Sequence, residues 1–312
     1  MKAIVYNKKK SKDKFEYSEI ETPSPNENEL LIKIRASSVN AADCRLLQMG
    51  FPPKKKIFGA DIAGVVESVG KNVTAFKPGD FVIGELSNFG FGGFAEYVVA
   101  PFNALSLKPA GISFEEAAAL PLAGVTALQA LRDNGNIQKG QKVLIIGSSG
   151  GVGTFAIQLA KYFGADITGV CSSRNITQTK LLGADQVIDY TKEDFSKRNE
   201  FYDLILVVNG NYPLLGYKKK LNQNGKLVLV GGSLSQIFKS LLFGKLLSIG
   251  SKKVISVFAK FKPADLEFLV NLVQTKKIKP VIEKTYNLEN VESAMRYVAE
   301  GHSTGKVLVK VS

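Results

Sequence analysis

The chain is poor in the residues that metal and disulfide chemistry require. Its 312 residues include one histidine, His302, two cysteines, Cys44 and Cys171, and no tryptophan. A catalytic zinc takes Cys, His and carboxylate ligands, and a structural zinc takes clustered cysteines. Neither set can be assembled from this sequence, so no metal is expected; Cys44 reads as a packed thiol and His302 as a surface or structural residue. Two cysteines also exclude a disulfide framework and suit a reducing compartment. There is no apolar run of about eighteen residues to span a membrane, and the opening MKAIVYNKKK lacks the apolar stretch of a secretory signal. The protein reads as cytoplasmic.

Acidic charge is also in deficit, leaving a formal net charge of +13. A positive field concentrates any polyanion, whether nucleic acid, anionic membrane or anionic cofactor. The lysines, however, fall in short scattered clusters (Lys8 to Lys10, Lys54 to Lys56, Lys218 to Lys220, Lys252 and Lys253) without the interleaved aromatics of a single-strand groove. No specific nucleic-acid partner is expected. The segment Gln236–Ile249, followed by Lys252 and Lys253, mixes apolar and basic residues. It reads as cover for a sheet and part of a subunit contact, with peripheral membrane attachment as the alternative.

What is present divides into two patterns. Up to about Leu120, short strands broken by Gly and Pro (Ile4–Tyr6, Glu29–Ala36, Ile62–Val69, Phe81–Leu86, Glu96–Ala100) suit a compact antiparallel barrel. Beyond it, apolar runs alternate with helical stretches, the signal of a parallel α/β sheet. The strands there are Val143–Ile146, Ile167–Cys171, Gln186–Asp189, Leu204–Val208, Leu227–Val230 and Val254–Val257. The intervening helices are Thr154–Phe163, Ile176–Leu182, Leu214–Leu221 and Leu234–Leu247. Helices at Ala264–Thr275 and Val291–Ala299 follow, and a last strand, Lys306–Val311, is expected to rejoin the first domain. Lys306 reads as a surface lysine on that strand.

Residues 143–146 form a buried-strand run, and GSSGGVG follows at once over 147–153, then an apolar helix pattern. Strand, glycine loop and helix in this order make a dinucleotide site. Glycine permits the tight turn and lets the backbone approach a pyrophosphate, while the helix N-terminus offers amides to the anion. An NAD site usually carries an acidic residue at the end of the second strand, and none follows Val170. Cys171, Ser172, Ser173, Arg174 and Asn175 stand there instead, and two hydroxyls with a guanidinium suit a 2′-phosphate. NADP(H) is therefore the expected cofactor; alternatively, Ser172 and Ser173 merely cap the next helix.

Without a Lewis acid, hydride addition to a simple ketone leaves an alkoxide with little to stabilise it. A quinone or an enone spreads the new charge over an enolate. The composition therefore points to conjugated acceptors.

Several segments together resemble the zinc-independent quinone oxidoreductases of the medium-chain dehydrogenase/reductase superfamily: SVNAAD (38–43), GADIAGVVESVG (59–70), FKPGD (76–80), GFAEY (93–97), LPLAGVTA (120–127) and GADQVIDY (183–190). CSSRN (171–175) and GHSTGK (301–306) look most like the plant chloroplast-envelope quinone oxidoreductase homologues and enone reductases. Zinc members carry Gly-His-Glu where this chain has Gly59, Ala60 and Asp61.

The resemblance implies an α/β architecture: a GroES-like β-barrel domain over 1–121 and 263–312, a Rossmann domain over 122–262, an active site in the cleft, and a homodimer. It implies NADP(H) and acceptors such as quinones, 2-alkenals or long-chain enones. Carried over by position, Thr126 serves the nicotinamide end. Ser149, Gly150, Gly151 and Val152 serve the pyrophosphate. Ser172, Ser173, Arg174 and Tyr190 serve the adenine-ribose phosphate, and Asn209, Gly210, Gly231 and Gly232 the ends of later strands. Asn40 and Asp43 match polar positions lining the cleft, with Asn40 satisfying turn amides and Asp43 capping a helix as alternatives. Arg45 stands where near relatives have lysine, and a guanidinium stabilises charge but does not readily yield a proton. A non-catalytic NADPH-binding protein with a structural or nucleic-acid-binding role is the competing reading.

Overall fold

The computed structural model describes residues 1–7, 14–231, 247, 248 and 250–311. The chain forms two compact units, Met1–Ala123 with Phe261–Ser312, and Gly124–Lys260.

In the first unit β1 (Lys2–Tyr6) and β2 (Phe15–Glu19) form an antiparallel pair. The long strand β3 (Glu29–Val39) leads into α1 (Ala41–Gln48), then β4 (Asp61–Val69), β5 (Phe81–Glu85), β6 (Tyr97–Pro101) and β7 (Leu105–Leu107). Along one edge β3 pairs with β4 over nearly its whole length, from Leu30–Val69 to Ser38–Asp61, with two register shifts that bend it. Its other edge pairs with β6 over Glu29–Lys33. The short helix α2 (Phe114–Ala118) starts on a Ser113–Glu116 capping box, and α3 (Pro121–Leu128) follows and runs on into a π-helical turn at Gln129–Asn134.

The second unit begins its sheet at β8 (Lys142–Ile146) and alternates α4 (Gly151–Tyr162), β9 (Asp166–Cys171), α5 (Ile176–Leu181), β10 (Gln186–Asp189), β11 (Tyr202–Val207), α6 (Leu214–Lys219), β12 (Leu221–Leu229) and β13 (Lys253–Ser256). All strand pairs are parallel and the order is β10-β9-β8-β11-β12-β13. Residues 143–146 and 204–207 are buried throughout, as parallel strands covered on both faces require. In order of appearance this is 3-2-1-4-5-6, with its switch point between β8 and β11. The helix expected at Leu214–Leu221 stops at Lys219, because Leu221 already pairs with Tyr202 and opens β12.

The chain then returns through α7 (Pro263–Gln274), β14 (Ile282–Asn287), α8 (Val291–Ala299) and β15 (Lys306–Lys310). As expected of the last strand, β15 joins the first sheet, antiparallel to the far half of β3, from Val39–Val307 to Ala36–Lys310. That sheet is not purely antiparallel: β14 and β15 run parallel, because α8 supplies the crossover that a parallel pair needs.

The expected helix Leu234–Leu247, Gly232 and most of the apolar and basic segment Gln236–Ile249 lie outside the described residues, as do Lys8 to Lys10. Among the described residues no helix is long and apolar enough to cross a membrane.

Candidate active site

The glycine loop lies at the carboxyl end of β8, at the switch point. Gly147 takes φ +80, and the amides of Gly147 and Ser148 both donate to Val170 O at 3.1 Å, tying the loop to β9. A Cβ at Gly147 would come within 2.8 Å of Asn209 N, and one at Gly153 within 2.1 Å of Gly147 O. Both glycines are thus needed for close backbone packing. Helix α4 starts from Gly150 with no side-chain cap and no acidic residue in its first turn. Its first amides are left free to meet an anion or solvent, and a Cβ at Gly150 would make only an ordinary contact, with Gly147 O at 3.9 Å. Ser149 is in the loop, Gly151 and Val152 in the first turn of α4. Asn209 and Gly210 follow β11, and Gly231 follows β12. Thr126 is half-buried on α3.

At the end of β9, Asn175 is the organising residue. Its buried Nδ2 donates to Ser149 Oγ at 3.0 Å and to Ser172 Oγ at 3.3 Å, joining the glycine loop to the turn after β9. Ser172 opens a 3-10 turn but makes no side-chain cap. Ser173 and Arg174 are exposed, and Tyr190 is 59% exposed.

The acid absent from β9 comes from its neighbour. Asp189 pairs with Cys171 across the β9–β10 ladder, and its carboxylate accepts the hydroxyls of Ser173 and Thr191. Those bonds, Ser173's first, hold its pKa below the ordinary value. Lys192 Nζ stands 3.9 Å away. Sequence order hid this residue, because strand pairing alone brings it to Ser173.

In the first unit three strand ends converge. Asp61 opens β4 opposite Ser38, and Lys306 opens β15 just before Val307, which faces Val39. Asn40 therefore meets both. Lys306 Nζ donates to Asn40 Oδ1 at 2.6 Å and lies 3.2 Å from Asp61 Oδ2. Asp61 Oδ2 also accepts Asn40 Nδ2 at 2.9 Å and Ser38 Oγ at 2.6 Å, while Oδ1 accepts the Leu122 amide at 2.9 Å. Lys306 is 2% exposed, which overturns the surface reading of it. A buried acid in a strand as apolar as DIAGVV needs a cation, and that need is the signal by which Lys306 was findable. Asn40, at 8%, is the most exposed member of the group.

Asp43 has no exposed surface. Its oxygens accept the Asn40 amide at 2.8 Å and the Gly59 amide at 3.2 Å. It caps α1 and ties it to the Gly59 turn, so it lines no open surface in this unit. Burial raises its pKa to about 7, with Asp61 adding to the rise and the two backbone bonds opposing it. Glu85, opposite Asp61 on β5, is pushed up to about 7 chiefly by burial. Arg45, in the last turn of α1, is half-buried, and that burial lowers its pKa.

The sequence matches two family descriptions, alcohol dehydrogenase GroES-like domain over residues 26–110 and zinc-binding dehydrogenase over 182–309. It is 35% identical over 310 residues to the chloroplast envelope quinone oxidoreductase homolog of Arabidopsis thaliana, covering 95% of this chain and 93% of that one. The quinone oxidoreductase structure from Coxiella burnetii superposes with a TM-score of 0.90 at 30% identity, covering 100% and 99%. This chain belongs to the quinone oxidoreductase family of the medium-chain dehydrogenase/reductase superfamily. A further relative, 2-methylene-furan-3-one reductase of Solanum lycopersicum, is 34% identical over 296 residues, covering 90% of this chain and 71% of that one.

Membership confirms the GroES-like and Rossmann architecture of this quinone oxidoreductase family member. One matched description includes zinc. Among the described residues no group of three His, Cys, Asp or Glu is placed to hold a metal ion. Cys44 donates its thiol to Met295 O, and burial pushes its pKa to about 12.

Proposed function

We propose that this oxidoreductase uses NADPH to reduce conjugated carbonyl acceptors, quinones, 2-alkenals or long-chain enones, without a metal. The observation that carries the reading is the Asn40 carboxamide. Its oxygen and one of its N–H bonds are committed to Lys306 and Asp61, and its second N–H is donated to nothing among the described residues. Such a donor, held rigid in a buried setting, stabilises charge that develops on an acceptor oxygen. Where zinc members have Gly-His-Glu, the acid at Asp61 is matched by the Lys306 ammonium, so the charge of the cluster is balanced by the chain itself.

When bound, NADPH supplies the hydride. The uncapped first turn of α4, with Gly150, Gly151 and Val152, suits its pyrophosphate; Ser149 and Asn175 order that loop, and Ser173, Arg174 and Tyr190 suit the adenine-ribose phosphate. Asn40 takes the acceptor oxygen, and Arg45 contributes positive charge without giving up a proton. The relatives named for quinone oxidoreduction and for 2-methylene-furan-3-one reduction support this acceptor class.

Incubation with NADPH and a panel of enones, 2-alkenals and quinones tests the reading through NADPH absorbance. Turnover of at least one conjugated acceptor is expected. NADPH binding with no turnover of any of them would favour the non-catalytic reading instead.

A second cofactor reading has its own observation. The Asp189 carboxylate beside Ser173 is an anion where a 2′-phosphate would sit, and an acid near this position favours the free ribose hydroxyl of NADH. Arg174 favours NADPH and Asp189 opposes it. Comparing the two affinities decides between them.

A further inference from the structure

We infer that Lys306 is a positioning residue that decides which end of the Asn40 carboxamide is offered to the acceptor. This rests on the reading above, in which Asn40 acts on the acceptor oxygen.

A carboxamide has an accepting end and a donating end of nearly the same shape, and only its partners settle which way round it lies. An ammonium can only donate. The Asn40 atom 2.6 Å from Lys306 Nζ must therefore be Oδ1, and the nitrogen must face Asp61, whose Oδ2 lies 2.9 Å from it. An ionised carboxylate can only accept, so Asp61 selects the same orientation. Turned over, the amide would set its NH2 against an ammonium and its oxygen against a carboxylate. In the orientation seen, the remaining Nδ2 hydrogen belongs to the most exposed member of the cluster, where it can meet an acceptor oxygen.

The two selectors depend on one another. Asp61 is wholly buried, and two further acids among the described residues, Asp43 on α1 and Glu85 on β5, interact with it. Without the ammonium, three buried carboxyl groups would share the site, and a buried unpaired carboxylate takes up a proton rather than stay charged. A protonated Asp61 donates as readily as it accepts. Both constraints on the amide would then be lost together, and with them the N–H held fixed toward the acceptor oxygen.

The test uses the full-length protein with NADPH and its best acceptor. Lys306→Met is expected to lower kcat by about a hundredfold, the cost of one oxyanion donor, and Asn40→Ala by a similar factor. Combining the two should lower it no further, since both remove the same donor. Lys306→Arg, which also only donates, should restore most of the turnover.

Because Lys306→Met leaves a buried acid unpaired and can fail to fold, Lys306→Met with Asp61→Asn is made alongside it. That pair leaves no orphan charge, mimics the protonated acid, and is expected to show the same loss with NADPH affinity unchanged. A merely structural lysine would produce no such split.

The inference is overturned if the neutral pair binds NADPH normally and keeps kcat within about threefold of wild type, far short of the loss an oxyanion donor carries. It is equally overturned if Lys306→Met costs its full factor on the Asn40→Ala background. Failure of the wild-type protein to reduce any conjugated acceptor would instead remove the Asn40 reading itself.

Discussion

Asp189 accepts the hydroxyl of Ser173 although sixteen positions separate them and they stand at the ends of different strands. The contact joins a negative charge to the group of hydroxyls and guanidinium that the sequence offers to a 2′-phosphate. Arg174→Ala should weaken NADPH binding by about ten- to hundredfold, the range for a lost charge-assisted contact, and leave NADH binding unchanged. Asp189→Asn should act the other way, raising the ratio of NADPH to NADH affinity about fivefold, as removal of one like charge near a surface site does. Fluorescence titration with both cofactors checks this. Unchanged affinities in Arg174→Ala would refute the phosphate assignment.

Gly153 is expected to be intolerant of any side chain. An alanine Cβ there would meet the carbonyl of Gly147 at 2.1 Å, and backbone has no flexible end that can move aside. Gly153→Ala should lose measurable NADPH binding and cost about 1–3 kcal/mol in stability through overpacking. Urea unfolding and cofactor titration read the two effects separately.

Glu85 should make the protein less stable as pH rises. Burial raises its pKa from 4.5 to about 7, so in that window the folded state keeps a proton that the unfolded chain releases. Stability then falls with rising pH through the window and levels off above it. Glu85→Gln carries no charge to desolvate, and its Oε1 can still accept the Ser87 amide that Glu85 Oε1 accepts at 2.7 Å. The variant should be more stable than wild type at pH 8, by up to about 3 kcal/mol, with the gap closing toward pH 4. Asp43, whose pKa also rises to about 7, keeps part of the decline in both proteins. Thermal melts across pH would contradict this if the two curves ran parallel.

Gln129 holds the last residue of the second unit. Its Nε2 donates to Lys260 O at 2.7 Å, and Lys260 N donates to its Oε1 at 3.1 Å. Gln129→Ala removes both bonds to Lys260, and because that residue is exposed and water can take their place it should cost about 1 kcal/mol. Gln129→Glu keeps only the accepting half and should fall between. Chemical denaturation of the three proteins checks the order.

The second unit was legible because its signals are local. A strand as apolar as Val143–Ile146, then glycines at 147, 150 and 153, then a helix pattern, specify a turn, a packing distance and a helix end within a dozen residues. Strands β8 to β11 and helix α5 follow from that periodicity to within a residue or two, and α4 to within three. The first unit was less legible. β2, with the pattern FEYSE, and β7, with only LSL, are too short or too polar to stand out from loops, and their pairing with β1 and β5 makes them strands. β14 was invisible for a related reason: it is half exposed, and only its parallel ladder with β15 defines it.

By itself the sequence determined the class of chemistry. One histidine and two cysteines bear on metal, the glycine loop implies a dinucleotide, and Arg174 after β9 suggests which one. These depend on which residues exist and how they are spaced along the chain, and chain order preserves that information. Tertiary structure decided who meets whom. Lys306 lies 245 positions from Asp61 and 266 from Asn40, and Asp189 reaches Ser173 across a ladder. Such meetings depend on strand register, which is set by the burial of many side chains together rather than by any local motif. For that reason a lysine that reads as surface in the sequence is the buried cation of the candidate site in the fold.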